Sequence, residues 1–470
     1  MNSPKGHIHF SAPFIWRVVF ALALPRIAID AQPTTGTSPA NDKTNIVDKV
    51  LCAVKEGELA FRLTSPDELK ALLGTPENEH TQKDGNSNVL LIEYTNVQAA
   101  FVRFGENGPN ALFQIMIEGR ALDIGRDKPI TLRRVTDLAK VDTFFGVAGM
   151  SLVKLDLTDQ SQRLSELPFD NRTKWPAADK LPKGFAPAAL LEDGKNPGLG
   201  VHKIHERGID GRGVHIAIID QPLLRDHLEY KDRIVEYTEL EVAGAPLEMH
   251  GPPVTSIAVG KTCGTAPAAS VHYYAVPTWK WWNEHCKPYA ATLERVIERN
   301  KAFSPAQKVR VVSLSLGAMS EWSDHALWAK AVQHAADEGI LVVTCDPADY
   351  KINTLKRKSG LDADSATNYI NQFGLSFESR LGVPAGNRST ASRTGGNDYF
   401  FWRQGGMSWT VPYLAGLAAM AFQVDPDLKP QSIPDLWMKT ATKTSAGLVV
   451  NPSAFIEAVR KAKATRESGS

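Results

Sequence analysis

Residues 211–220 read GRGVHIAIID, a glycine-flanked turn followed by a short apolar, β-branched run that ends in an aspartate. Further apolar runs follow, separated by helical stretches: runs at 271–276, 309–316 and 340–344, with helices at 289–300 and 325–338 between them. Nearly continuous apolar strands that alternate with helices indicate a parallel sheet covered on both faces. The sequence therefore predicts an α/β fold with a doubly wound, mostly parallel sheet over residues 201–464.

The composition excludes several classes of protein. Lys and Arg number 53 and Asp and Glu 52, which gives a net charge of +1, and 43% of the residues are apolar. This balance is not that of an electrostatic nucleic-acid binder or of a disordered chain. The cysteines, Cys52, Cys263, Cys286 and Cys345, stand far apart. They predict no zinc site and no dense disulfide framework, although one bridge such as Cys263 to Cys286 fits their number.

The N-terminal end has two interpretations. Residues 1–30 contain a single acid, Asp30, and an apolar run over 18–24 that is too short to span a bilayer. A secretory signal peptide would make the protein secreted or periplasmic, whereas a poorly ordered tail would suit a cytoplasmic protein. In either case residues 1–44 include a polar tether, and no membrane span is predicted.

A smaller α+β domain is predicted over residues 45–160. Ser65, Pro66 and Glu68 form the cap, first-turn proline and capping-box acid of a short helix. Strand-like runs follow at 89–94, 99–104, 111–117 and 153–157. Residues 161–200 contain five prolines and are predicted to form a linker, and residues 465–470 a tail.

Three residues stand where a sheet of this kind collects catalytic groups. Asp220 follows its strand directly, at the carboxyl end where ligands bind in open α/β sheets. His250 precedes Gly251 and two prolines, which are tolerated in a first helical turn, so a helix should begin just after it. Ser408 follows the segment Gly405-Gly406-Met407 and precedes a run that is apolar nearly all round, which describes a buried helix. Taken singly, each is as well explained by a turn, a surface group or an ordinary helix cap.

Together these passages resemble the three signature motifs of the subtilisin-like serine peptidases, in the order Asp, His, Ser. The spacings are 30 and 158 residues. Secondary passages agree with the resemblance: GIDGRGV at 208–214, GTAP at 264–267, VVSLSLG at 311–317 and GLVVN at 447–451. The chain is therefore identified as a member of the subtilases, and the resemblance covers residues 196–464.

The resemblance implies a function and assigns roles. Ser408 would be the nucleophile, His250 the general base and acid, and Asp220 the carboxylate that orients the imidazole. Ser315, Leu316 and Gly317 would bind an extended polypeptide substrate. No cofactor is required for this chemistry, and bound calcium is expected from the family alone. The N-terminal α+β domain would be either a removable pro-domain or a permanent accessory domain, and the oligomeric state stays unassigned.

Several positions depart from the family pattern. The aspartate is followed by Gln221 and Pro222 in place of a small residue and glycine, and Trp409 and Tyr413 replace residues that are commonly smaller or histidine.

The most serious departure concerns the oxyanion hole. Subtilases usually place an asparagine after the strand that corresponds to 340–344, whereas a gapless comparison places Ala348 there. A missing donor costs about 3 to 4 kcal/mol of transition-state stabilisation. Asp346 or Asp349 would substitute if protonated, as an acid does in the related sedolisins, and Asn353 is a further alternative. The same departure motivates a second hypothesis, that the chain is a catalytically silent subtilase used as a binding module.

Overall fold

The computed structural model describes residues 43–55, 59, 64–84, 87–103, 110–118, 120–122, 133–135, 137–245, 247–281, 285–317, 319–347, 349–372 and 379–468. The predicted signal peptide and nearly all of the tether lie outside these residues, as does Ala348. Within the described ranges, no helix has the length and apolar character needed to cross a membrane.

The first described elements form a small α+β unit. Helices α1 (Lys43–Lys55) and α2 (Pro66–Leu73) precede an antiparallel sheet whose strands pair in chain order. Its strands are β1 (Asn78–Asp84), β2 (Ser87–Tyr94), β3 (Val97–Arg103), β4 (Asn110–Ile117) and β5 (Arg120–Leu122). The predicted capping box is present, because Ser65 Oγ accepts from the Glu68 amide and the Glu68 carboxylate accepts from the Ser65 amide.

The remaining strands and helices alternate from residue 133 to the C-terminal end. The strands are β6 (Arg133–Arg134), β7 (Met150–Ser151), β8 (Phe169–Asp170), β9 (His215–Asp220), β10 (Ile234–Glu239), β11 (Ser270–Ala275), β12 (Val309–Leu314), β13 (Leu341–Thr344), β14 (Ile352–Arg357), β15 (Tyr369–Asn371), β16 (Leu381–Gly386), β17 (Arg388–Ala391), β18 (Tyr399–Trp402), β19 (Thr442–Thr444) and β20 (Gly447–Val449). The helices are α3 (Ser161–Glu166), α4 (Pro187–Asp193), α5 (Val201–His205), α6 (Gly251–Val259), α7 (Thr278–Trp281), α8 (Lys287–Lys301), α9 (His325–Asp337), α10 (Thr410–Val424), α11 (Ile433–Thr440) and α12 (Pro452–Ser468).

The central sheet is parallel and buried on both faces. Its strand order is β10-β11-β9-β12-β13, and every pairing between these neighbours is parallel. Along β9, Ile216 and Ile218 point into one hydrophobic core with α6 and α10, while Ala217 and Ile219 point into a second core with α8 and α9. The predicted α/β class, with helices on both faces of a parallel sheet, is confirmed.

Residues 137–200 pack closely against this α/β layer. Strand β8 pairs with β18, and side chains from both parts of the chain share one core that includes Leu152, Leu167, Phe169, Cys263 and Phe401. The buried guanidinium of Arg403 donates to the carbonyl oxygens of Leu164 and Leu167. The segment predicted as a linker at 161–200 thus carries two helices and a strand, while the division into domains stays a prediction.

The predicted strand at 153–157 is wrong. These residues form turns and irregular backbone, although Leu155 and Leu157 still contribute to the core shared with Phe169. Because Val153 is 49% exposed, the alternation of apolar and polar residues matches burial only at residues 155 and 157. It does not record strand pairing, because the backbone amides of Leu155 and Leu157 donate to carbonyl oxygens in turns and in a neighbouring loop.

A buried carboxylate joins two loops of the α/β layer to the start of β18. Glu229 is 3% exposed and accepts hydrogen bonds from the Thr262 and Cys263 amides, the Thr262 hydroxyl and the Tyr399 hydroxyl. Burial raises the pKa of this carboxyl group, but the hydrogen bonds to its ionised form outweigh burial, so the pKa lies below its ordinary value. Glu229 therefore stabilises the fold as an anion.

Replacing Glu229 by Gln should lower the free energy of unfolding by about 3 kcal/mol at neutral pH, because a neutral amide cannot accept four hydrogen bonds. Since the folded-state pKa is depressed, the contribution of the carboxylate is present above about pH 4.3 and is lost as the pH falls through the folded-state pKa. Thermal denaturation at several pH values should show the difference between wild type and E229Q shrinking in acid. The exposed Glu338→Gln is the control, and a difference that does not change with pH would contradict this role.

Candidate active site

The structure brings Asp220 and His250 together at the carboxyl end of β9. Asp220 is the last residue of that strand and is 3% exposed. The His250 Nδ1–H donates to its carboxylate, at 2.8 Å from Oδ1 and 3.0 Å from Oδ2. The Gln221 amide also donates to Oδ1, at 2.8 Å. A carboxylate in this position fixes the tautomer of the imidazole and leaves Nε2 as the ring atom that could accept a proton.

The start of α6 determines where His250 lies. The helix begins at Gly251, as the sequence predicted, with Pro252 and Pro253 in its first turn. A Cβ atom on Gly251 would come within 2.6 Å of both the Gln221 carbonyl oxygen and the Tyr273 hydroxyl oxygen. Glycine is therefore required for the helix to approach the end of β9 closely enough for the hydrogen bond to Asp220.

Ser408 lies in a short 3₁₀ turn (Met407–Trp409) that leads directly into α10. This turn packs against α6, which begins next to His250, and the Trp409 ring centroid is 5.3 Å from that of the imidazole. The serine is 1% exposed, and its carbonyl oxygen accepts a hydrogen bond of 2.9 Å from the Ser315 hydroxyl. The structure thus joins Asp220 to His250 and packs the turn that holds Ser408 against the helix that follows His250.

Two contacts that sequence reasoning missed hold the loop before Ser408. The Gln372 side chain accepts from the Gly405 amide at 2.9 Å and donates to the Gly405 carbonyl. A Cβ atom on Gly405 would lie 2.0 Å from the Ala385 carbonyl oxygen and 2.7 Å from Trp409 Cδ1. The glycine was visible in the sequence, but Gln372 is 33 residues away and follows no motif.

The segment after β13 lies beside the same turn. The Cys345 thiol lies near the Ser408 hydroxyl, whose oxygen forms no hydrogen bond with any of the described residues. The Asp346 carboxylate is buried and accepts from both the amide and the hydroxyl of Ser320, at 2.8 Å each. The Asp349 carboxylate accepts from the Thr344 hydroxyl at 2.8 Å. The predicted role of either acid as an oxyanion donor stays a prediction.

The predicted substrate-binding residues follow β12 directly. Ser315, Leu316 and Gly317 are all buried, and the Leu316 carbonyl accepts from the Cys345 amide at 2.9 Å. This backbone bond joins the end of β12 to the segment after β13. Peptide binding along these three residues stays a prediction.

The part of the chain that the structure describes contains no candidate metal site. No group of three or more His, Cys, Asp or Glu side chains is placed there to hold an ion. Calcium therefore stays an expectation from the resemblance, with no residues of this chain assigned to it.

The Subtilase family model, that of peptidase S8, matches residues 211–455, which is slightly more than half of the chain. The chain belongs to the subtilase family. The match contains Asp220, His250 and Ser408, and it begins at the glycine turn that precedes β9. The family predicted from the sequence is confirmed.

Known proteins resemble this subtilase at low identity. The curated subtilisin-like protease PopC of Myxococcus xanthus (strain DK1622) is 24% identical over 299 residues, which cover 56% of this chain and 62% of PopC. Among solved structures, fervidolysin from Fervidobacterium pennivorans, described as a keratinolytic enzyme related to subtilisin, is 16% identical with a TM-score of 0.41, over 55% of this chain and 44% of its own. A structure of the subtilase cytotoxin SubAB is 13% identical with a TM-score of 0.44, over 57% of this chain and 96% of its own. The chain thus spans less than two thirds of PopC.

The thiols of this subtilase differ sharply in accessibility. All four cysteines are free in the structure, so the bridge between Cys263 and Cys286 that the sequence allowed is not formed. Cys52 is exposed, whereas Cys263, Cys286 and Cys345 are fully buried. Burial raises the pKa of all three buried thiols, and for Cys345 the nearby carboxylates of Asp220 and Asp346 raise it further. The thiol beside Ser408 is therefore a neutral group.

Iodoacetamide at neutral pH should modify the native protein at Cys52 only, because alkylation requires an accessible thiolate. After denaturation without a reductant, all four cysteines should react, and mass spectrometry of the peptides counts them. Rapid labelling of Cys345 in the folded protein would contradict its burial. Fewer than four modified residues in the denatured protein would indicate a disulfide.

Proposed function

We propose that this subtilase is an active serine endopeptidase that cleaves polypeptides through an acyl-enzyme on Ser408. The observation that carries the proposal is the hydrogen bond between the His250 Nδ1–H and the buried Asp220 carboxylate, beside the turn that holds Ser408. A serine hydroxyl is a weak nucleophile until an imidazole takes its proton. The imidazole in turn needs a carboxylate that orients it and stabilises its cation.

The proposed reaction assigns one task to each residue. His250 Nε2 takes the proton of Ser408 Oγ as the oxygen attacks the scissile carbonyl carbon, and the same nitrogen then gives the proton to the leaving amine. Water, deprotonated by His250, hydrolyses the ester and regenerates the hydroxyl. The Asp220 carboxylate keeps its charge throughout and stabilises the imidazolium.

Replacing Ser408 by Ala should lower casein cleavage by about a million-fold and abolish fluorophosphonate labelling, because the nucleophile is lost. His250→Ala should have a similar effect, and Asp220→Asn should cost about 10⁴-fold, because it favours the wrong tautomer. The exposed Ser304→Ala is the matched control and should retain full activity. If folded wild-type protein were neither labelled nor proteolytic, the alternative of a catalytically silent binding module would take its place.

We propose further that Asp349, as a neutral acid, supplies the oxyanion donor that the family usually takes from an asparagine. Two observations favour it over Asp346. Burial raises the pKa of the Asp349 carboxyl above its ordinary value; the Thr344 hydrogen bond lowers this pKa without cancelling the effect of burial, and the nearby Asp346 raises it further. Both oxygens of Asp346 instead accept hydrogen bonds from Ser320, so this carboxyl group is already engaged within the fold.

Asp349→Ala should lower kcat by about 10²- to 10³-fold, because one oxyanion donor is lost. Asp349→Asn keeps a donor at every pH and should remain active. Wild-type activity should fall as the pH rises through the raised pKa of Asp349, and the Asn variant should not show this fall. Equal pH profiles for wild type and both variants would exclude Asp349, and the same pair of substitutions at Asp346 is the comparison.

A further inference from the structure

A row of aromatic rings leads from the segment before the family-matched residues to the candidate general base. The Phe144 ring centroid is 6.0 Å from that of Trp402, Trp402 is 5.4 Å from Trp409, and Trp409 is 5.3 Å from His250. Trp402 and Trp409 are 3% and 4% exposed. Each ring in the row therefore has little freedom to move unless its neighbour moves.

Trp409 is the residue of this row that lies next to both Ser408 and His250. It follows Ser408 in the chain, and its ring lies beside the imidazole that would take the serine proton. The absence of a side chain at Gly405 lets the backbone approach the indole, since a Cβ atom there would lie 2.7 Å from Trp409 Cδ1. Trp402 on another side is held by a 2.9 Å hydrogen bond from its Nε1–H to the Thr390 hydroxyl.

The other end of the row belongs to residues 142–150, which we call the aromatic strap. Its backbone is fixed where it meets β8, because the Val147 amide donates to the Pro168 carbonyl and the Gly149 amide to the Asp170 carboxylate. Gly146 has φ of 56°, and a Cβ atom there would lie 2.1 Å from the Pro168 carbonyl oxygen. The strap thus presents Phe144 to Trp402 from a well-held position.

We propose that Trp409 is a positioning residue for His250, and that Trp402 and Phe144 of the aromatic strap hold Trp409 in place. The inference rests on the proposed function, since it concerns the base of that reaction. A general base must be held within a fraction of an ångström of its working geometry by side chains whose own rotamers are fixed. Here the ring beside the base depends in part on a segment outside residues 211–455.

The test measures the rate constant of fluorophosphonate labelling and, separately, the fraction of molecules labelled at completion. Trp409→Leu should lower the rate constant by about ten- to a hundredfold, because small displacements of a catalytic group are costly. Trp409→Phe keeps a ring, so its labelling rate constant should stay within about threefold of wild type. Phe144→Leu should lower the rate constant by about threefold, because it removes the stabilisation that one aromatic pair provides. With a peptide substrate, kcat should fall by the same factors while KM stays unchanged.

The matched control is Trp175→Leu, which removes an indole from the neighbouring segment where it packs against Phe169 and Phe185. Its labelling rate should equal that of wild type. A merely structural role for Trp409 would lower the labelled fraction and the melting temperature and leave the rate constant unchanged, and that result would overturn the proposal. If Trp409→Leu does not fold, the Phe144→Leu variant provides the test. An unchanged labelling rate constant in that variant would show that the aromatic strap does not help to position His250. Wild-type protein that is not labelled at all would instead overturn the proposed function.

Discussion

The hydrogen bond between Asp220 and His250 depends on how closely the start of one helix can approach the end of one strand. A Cβ atom at residue 251 would clash with the Gln221 carbonyl and the Tyr273 hydroxyl, and the Tyr273 hydroxyl itself donates to that carbonyl. The strand, the neighbouring strand β11 and the helix are thus joined at one point. The carboxylate and the imidazole can meet because residue 251 has no side chain to keep the helix away from the end of the strand.

A second close approach places the nucleophile segment. Helix α10 is buried nearly all round, and at Gly416 a Cβ atom would lie 2.6 Å from the Thr265 side chain and 3.2 Å from the Ala258 carbonyl. Since Ala258 belongs to α6, the helix that follows Ser408 packs directly on the helix that follows His250. Burial of such an apolar helix supplies much of the hydrophobic stabilisation of the layer. The same burial fixes the turn that carries Ser408.

These local rules explain how much could be predicted from the sequence. Strand β9, the start of α6 and the buried α10 follow from apolar runs, prolines and glycines, which act over a few residues. The roles of Gln372 and Arg403 could not be predicted, because each side chain bonds to backbone groups far away in the chain and neither residue belongs to a recognisable motif. The predicted strand at 153–157 was wrong for a related reason, since an alternation of residue types does not identify the hydrogen-bond partners of the backbone.

The positions where this chain departs from its family are matched by contacts of its own. Gln221 follows the aspartate in place of a small residue, and its side-chain Nε2 donates to the Thr278 hydroxyl at 2.8 Å. Tyr413, in the first turns of α10, directs its hydroxyl to the Gly198 carbonyl, just before the family-matched residues. Trp409 reaches the aromatic strap through Trp402.

Two of these three departures thus connect the core of the site to the segment between residues 137 and 200. Large residues next to the nucleophile would be poorly packed without that segment, because the strap supplies Phe144 and the loop before α5 supplies the carbonyl partner. Conversely, the rings of Phe144 and Phe145 pack against Trp402 and Phe400, respectively. The unusual residues of the site and the additional N-terminal segment therefore depend on one another physically, and a change in either is expected to require a change in its partner.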